Sequence, residues 1–202
     1  MGRHRVIDRE AMLDAAERVV VRDGAVKLSL DAVATEAGIS KASVLYDYKT
    51  KQALIRAVVE RRVAAETARI GQLIAEQGDS PDAVVRGRLA AARQKIPDGE
   101  RAVAVNLCAA LAQDAALREP IRAAINEHLT TLGRDSTHPR SALLAFLAIE
   151  GLMFLEWFGF HSWPEAERDR ILGDVAWLIG QEPAADAVPD TGHRPVASDT
   201  VD

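Results

Sequence analysis

Between Ser29 and Tyr48 the chain carries two short helical patterns with almost nothing between them. Leu30, Val33, Ala34 and Ala37 fall at i, i+3, i+4 and i+7, which makes residues 30–37 one apolar helical face. Ser29 stands just before it, where a hydroxyl accepts from the free backbone N–H groups of a first turn. Gly38 stops that helix, since glycine reaches the left-handed conformation that closes one. Ile39 follows as a buried anchor, and Ser40 caps a second helix from Lys41 to about Asp47. Two helices joined so tightly must cross closely. The first then needs a small side chain at the crossing, the turn needs glycine, and the second must turn an apolar residue back to the core. Ala34, Gly38 and Val44 stand in those places, with Val33, Ala37 and Ile39 around them. This is helix-turn-helix spacing. Its outer face presents Lys41, Ala42, Ser43 and Tyr46, a small surface with one positive charge that suits a DNA major groove.

The rest of the chain reads as helix too. Of its 202 residues 48% are hydrophobic but only 4% aromatic, and good helix formers dominate, so an all-α fold with a sizeable core is expected. Met12, Leu13, Ala16, Val19 and Val20 share one face of a helix over about 8–22, closed at Asp23-Gly24. A long helix starting near Thr50 carries Leu54, Ile55, Val58, Val59, Ile70, Leu73 and Ile74 as far as Gln77, long enough to bridge a head and a body. In "GDSPD", Gly78 ends it, Ser80 is placed as the next cap and Pro81 at the first helical position. Further helices are expected over 81–95, 100–114, 116–133, 139–158 and 164–180, about nine in all, with breaks at "IPDGE" and "RDSTHPR". The division is a head over 1–50, a helical body over 51–181 and, from its Pro, Asp and Ala without periodicity, a disordered acidic tail over 182–202.

Charge separates head from body. Residues 1–62 hold 12 Lys and Arg against 9 Asp and Glu, while the remainder holds 13 against 21, so only the head suits a polyanion. The single cysteine, Cys108, excludes an intramolecular disulfide framework, and no apolar leader opens the sequence, which points to the cytoplasm. The greasiest segment, Ala142 to Phe160, is interrupted by Glu150 and Glu156 and reads as a buried helix instead of a membrane span. The histidines at 4, 128, 138, 161 and 193 are scattered, and no metal-ligand spacing, nucleophile elbow or phosphate-binding glycine loop occurs. No metal, cofactor or enzymatic activity is expected. A helical enzyme with a site converging in space, and an adaptor whose head binds protein, are the competing readings.

The stretch Met12 to Val59 resembles the DNA-binding domain of the TetR/AcrR family of one-component transcriptional regulators, through Ala34, Gly38, Ser40-Lys41, the aromatic cluster and Lys51. The resemblance implies that Ser29 and Ser40 offer hydroxyl and backbone N–H groups to phosphates. It places Lys41 and Ala42 at base edges, Ser43 and Tyr46 at backbone or nearby bases, and Lys51 at a phosphate. The family's usual Gly-Thr-Leu-Tyr-His-Tyr-Phe run is replaced by Ala42 to Tyr48, so Leu45 lacks the hydroxyl many relatives set on a phosphate. Tyr48 is expected as a core plug. Asp47, at the helix end, is expected to order the connection into the next helix by accepting backbone N–H groups.

The same resemblance implies a homodimer that binds a palindromic operator on double-stranded DNA as a repressor and is released by a small-molecule effector. Asn106, Cys108, His128, Glu150, Met153, Phe154 and Trp157, polar or soft groups on otherwise apolar helices, are the candidate effector-pocket residues. The last two helices carry more apolar surface than they can hide, and Phe146, Ile149, Leu152, Ile171, Val175 and Leu178 are the candidate dimer contacts.

Overall fold

The computed structural model describes residues 8–95 and 97–182, which form nine α-helices and no strand. They are α1 (Arg9–Asp23), α2 (Leu30–Ala37), α3 (Lys41–Asp47), α4 (Lys51–Ala75), α5 (Ala83–Arg93), α6 (Asp98–Gln113), α7 (Ala115–Asp135), α8 (Pro139–Trp157) and α9 (Glu165–Ile179). Of the expected tail over 182–202, all but Glu182 lies outside the described residues.

Side-chain caps fix most of the boundaries in the first half. Asp8 accepts from the backbone N–H of Glu10, Ser29 from Ala32, Ser40 from Ser43 and Thr50 from Ala53, at 3.0 to 3.1 Å. Each satisfies a donor that a helix start leaves without an intrahelical partner. Gly24 and Gly38 close α1 and α2 with φ of 82° and 64°, a region that side chains with a Cβ avoid. The start of α5 differs from expectation. Ser80 and Pro81 form a turn ahead of the helix, and Asp82 takes the cap position without capping. Its buried carboxylate instead accepts the Thr137 N–H and hydroxyl, each at 3.1 Å, tying the α4–α5 turn to the start of α8.

Three apolar cores follow from these faces. Met12, Ala34 and Val44 form a small one inside the α1–α2–α3 crossing. A second joins α1, Leu28 and Val33 to Leu54, Val58 and Val59 of α4, and also to Val103 and Leu107 of α6 and Leu117 of α7. The head's packing therefore runs past residue 50 into the body. The third belongs to the body: Val85 and Leu89 of α5, Leu132 of α7, Phe146 and Ile149 of α8, Leu172 and Ile179 of α9. α4 and α5 meet closely at Gly87, where an added Cβ would lie 2.6 to 2.8 Å from Ile74 side-chain and backbone atoms.

Ion pairs reinforce the seam between α1 and α4. Arg61 reaches Glu10, Asp14 and Glu17 at 3.2, 2.7 and 2.6 Å, three acidic side chains a turn apart along α1. Arg56, a little earlier on α4, pairs with Asp114 at 2.5 Å, where α6 gives way to α7.

Candidate nucleic-acid interface

The two short helices stand where the sequence spacing places them. Val44 is fully buried between Met12 and Ala34, so α3 can turn only its other side outward. That side carries Lys41 and Ala42, both exposed, Ser43, half-buried, and Tyr46, 75% exposed. A tyrosine held that far into solvent at no benefit to the core is available for contact. Tyr48 does not share its position: it packs against both head cores, and burial pushes its phenol above the ordinary range. The cap serines accept from the backbone, and one proton of the Ser40–Ser43 hydroxyl pair stays free to donate. The Ser29 hydroxyl accepts from Ala32 N–H, and the Ser40 hydroxyl accepts from Ser43 N–H while sharing a hydrogen bond of 2.8 Å with the Ser43 hydroxyl.

The charged groups of this face are less free than the sequence suggests. Lys41 Nζ lies 2.8 Å from the Asp31 carboxylate of α2, an exposed pair. Lys51 donates to the Val26 carbonyl in the α1–α2 turn at 2.7 Å, and Lys49 sits over the Tyr46 ring at 5.3 Å while donating to the Tyr46 carbonyl. Asp47 departs from expectation. Its carboxylate, with only 7% of the side chain exposed, takes Arg9 of α1 and not the backbone N–H groups of the α3–α4 connection. Thr50 does that work instead, capping α4 through Ala53 N–H. Asp31 and Arg9 escaped the sequence reading because the partners are 10 and 38 residues away, beyond any local pattern.

In the body, the structure brings only part of the polar set together. Arg88 of α5 is buried and donates to Glu150 of α8, with its guanidinium 5.0 Å from the Phe146 ring. His128 of α7 lies close enough for burial and then the Arg88 charge to hold its imidazole below the ordinary range. Met153 packs partly buried against the same core. Cys108 donates to the Ala104 carbonyl, and burial pushes its thiol up. Trp157 is half-buried at the end of α8. Asn106 and Phe154 stand apart. Asn106 faces the end of α1 beside Gly24, and Phe154 is 52% exposed, against Phe158 and Phe160 at 4.8 and 5.7 Å between ring centroids.

The dimer candidates fall on the inward faces of α8 and α9. Phe146, Ile149 and Leu152, with Val175 of α9, are buried in their own chain's core, and Ile171 and Leu178 pack partly buried against it. Large apolar side chains left exposed include Leu143, Leu147 and Phe154 at i, i+4 and i+11 of α8, together with Leu144 and Leu155 on the same helix, Phe158 at its C-cap and Trp177 on α9. An almost uniformly apolar helix gives no periodicity by which its inward face can be chosen, so the sequence does not separate its buried positions from its exposed ones.

Residues 12–58 match the family described as bacterial regulatory proteins, tetR family, and residues 82–179 match the tetracyclin repressor-like C-terminal domain; together they span more than two thirds of the chain. No curated protein matches it in sequence. Among solved structures, a transcriptional regulator of Streptomyces coelicolor A3(2) is 18% identical with a TM-score of 0.65, covering 86% of this chain and 98% of its own. A transcriptional regulator of Rhodococcus sp. Rha1 is 22% identical with a TM-score of 0.65, over 84% and 94%. The multidrug binding protein EbrR, complexed with malachite green, is 21% identical with a TM-score of 0.62, over 87% and 99%. At these identities the structural likeness speaks for the fold, while the sequence matches to both the head and the body carry the assignment. The chain belongs to the TetR family of bacterial regulatory proteins.

Proposed function

We propose that this protein is a ligand-responsive transcriptional repressor of the cytoplasm. It binds a palindromic operator as a homodimer and leaves it when a small molecule enters the helical body. The observation that carries the reading is the outer face of α3. Val44 locks the helix to the head, and Lys41, Ala42 and Tyr46 stand out from it with no packing task of their own. Lysine at a guanine edge and an alanine methyl against thymine are readouts available in a major groove, while the Ser29 and Ser40 caps suit phosphates.

Two functional units divide the labour, a DNA-binding head over 1–50 and an effector and dimerisation body over 51–181. Their coupling has a physical carrier. Val103, Leu107 and Leu117 of the body sit in the head's own core, and Arg56 bonds Asp114 across the same seam, so a shift of α6 and α7 bears on α1 and α4. Dimerisation uses the outer stripe of α8 with Trp177, since so large an apolar face on a single chain calls for a partner, and a two-fold axis lets it meet its own copy. EbrR, with a similar fold, binds malachite green and ethidium, which shows that the scaffold houses small molecules in that protein.

The test is binding of the full-length protein to duplexes from the DNA flanking its own gene, measured by fluorescence anisotropy at moderate salt. A palindrome-containing duplex should bind at least about a thousandfold tighter than a scrambled one. Equal affinities would end the reading.

A further inference from the structure

Among the described residues the body holds a charged group that its own chain leaves incompletely used. Arg88 is 8% exposed, on α5 in the middle of the third core, and a guanidinium carries five N–H donors. Among the described residues its one hydrogen-bond acceptor is Glu150, engaged through a single nitrogen, with the Phe146 ring against it. On α7, which packs against α5, His128 Nδ1 is buried with no hydrogen-bond partner among the described residues. Buried polar atoms are nearly always satisfied, so an orphan on the helix packed against an under-used buried guanidinium calls for a missing partner.

From this geometry we infer that Arg88 and His128 form a carboxylate-binding site in the body, and that the effector is a small organic acid. The assignment rests on the reading of the body as an effector-binding unit.

The chemistry of the gap selects the ligand. Arg88 lacks acceptors, and His128 Nδ1 becomes a donor once its ring is protonated. The only acceptor in the group, Glu150, keeps 40% of its side chain exposed and so has water to serve it. A ligand that completes the cluster must therefore bring acceptor oxygens, and a planar carboxylate matches the guanidinium fork. Charge agrees. Arg88 and Glu150 cancel, so an entering anion would leave the cluster negative unless a proton came with it, and His128 is placed to take that proton. Among the described residues the charges that act on the ring are Arg88 from α5, which disfavours its proton, and Glu127 on its own helix, which favours it, while Glu150 of α8 pairs with Arg88. The hydrocarbon of the acid would meet Phe146 and the partly buried Ile125, Leu129 and Met153.

Acetate is small enough to probe the site whatever the hydrocarbon pocket admits. The His128 titration of the full-length protein is followed by NMR in sodium acetate and in sodium chloride at equal ionic strength, with His128→Gln giving the assignment. Acetate should raise the His128 pKa by about half a unit or more and leave the other histidines unmoved. Arg88→Gln should abolish the rise, and Glu150→Gln, whose amide oxygen still accepts from Arg88, should enlarge it by removing the competing carboxylate. No rise in the wild-type protein, or an undiminished rise in a folded Arg88→Gln variant, overturns the site. DNA binding on the same samples separates the two readings. Operator binding without a histidine shift removes the carboxylate site alone, whereas a shift in a protein that does not bind DNA removes the regulator reading and leaves the anion site standing.

Discussion

The Arg9 guanidinium reaches the Asp47 carboxylate with Nε at 2.8 Å and Nη2 at 2.7 Å, joining the first turn of α1 to the last residue of α3 across 38 residues of sequence. A carboxylate at the end of a DNA-reading helix would repel phosphates if left alone. Paired, it anchors the helix. Asp47→Asn is therefore expected to lower the Tm and weaken binding to all duplexes alike, and Arg9→Ala to do the same without adding to it in the double variant. Calorimetry and anisotropy on the four proteins decide the matter. Tighter DNA binding at unchanged Tm would mean that the carboxylate restrains affinity instead.

Lys41 and Asp31 form the reading face's own ion pair, exposed on both sides and so of little consequence for stability. Its consequence is for DNA. Lys41→Ala should cost about 1–3 kcal/mol of discrimination between operator and altered sequences, the range for a base-edge contact. Asp31→Asn should strengthen binding to every duplex and steepen the dependence of log K on log salt, because it frees a cation and removes an anion near the phosphates. Salt titrations of both variants on two sequences separate specific from general effects.

Local rules made the head legible in the sequence. Ser29, Gly38, Ser40 and Thr50 each act on residues within four positions of themselves, and the α2 and α3 boundaries follow from them. Val44 and Ala34 meet because the turn between their helices is too short for anything else. What stayed hidden depends on distance or on phase. Arg9–Asp47, Arg61 with the α1 carboxylates, and Arg88–Glu150 are contacts between residues 38 to 62 apart. The inner face of α8 was unreadable because leucine, alanine and phenylalanine occupy every side of it, and only the positions of α5, α7 and α9 decide which stripe is covered.

Two phenylalanines of α8 should behave oppositely to small changes. Phe146, 3% exposed, belongs to the chain's own core, and Phe146→Ala should cost about 3–5 kcal/mol of stability. Phe154 and Leu147, 52% and 55% exposed, belong to the proposed two-fold interface. Leu147→Glu with Phe154→Ser should leave the helical circular dichroism intact and yield monomers by light scattering. A dimer that survives the pair of changes would place the interface elsewhere.

Gly87 sits where α5 crosses α4 so closely that a Cβ would meet the Ile74 backbone at 2.7 Å as well as its side chain. In an open helix Gly→Ala gains about 1 kcal/mol from propensity. Here overpacking against backbone atoms, which no rotamer change relieves, costs roughly 1–3 kcal/mol or more and should win. Urea denaturation of Gly87→Ala should show a lower midpoint at an unchanged slope. A raised midpoint would mean that the two helices separate easily.

His128 predicts a pH dependence whose sign follows from burial. The folded chain holds its imidazole below the ordinary value of 6.5, by burial first and the Arg88 charge second, so the folded state resists a proton that the unfolded chain accepts. As pH falls through about 6.5, the unfolded state gains that proton and stability drops, until the folded pKa is reached and the loss levels off. Above about 6.5 neither state carries the proton, and the group contributes no slope. His128→Gln keeps a polar side chain of similar reach but cannot titrate, so it should remove part of the stability lost between about pH 7 and pH 5. The comparison is of Tm for the two proteins across that range in chloride. Parallel curves would mean that the ring is not held neutral, and with it would go the physical reason for a proton to accompany an anion into the body.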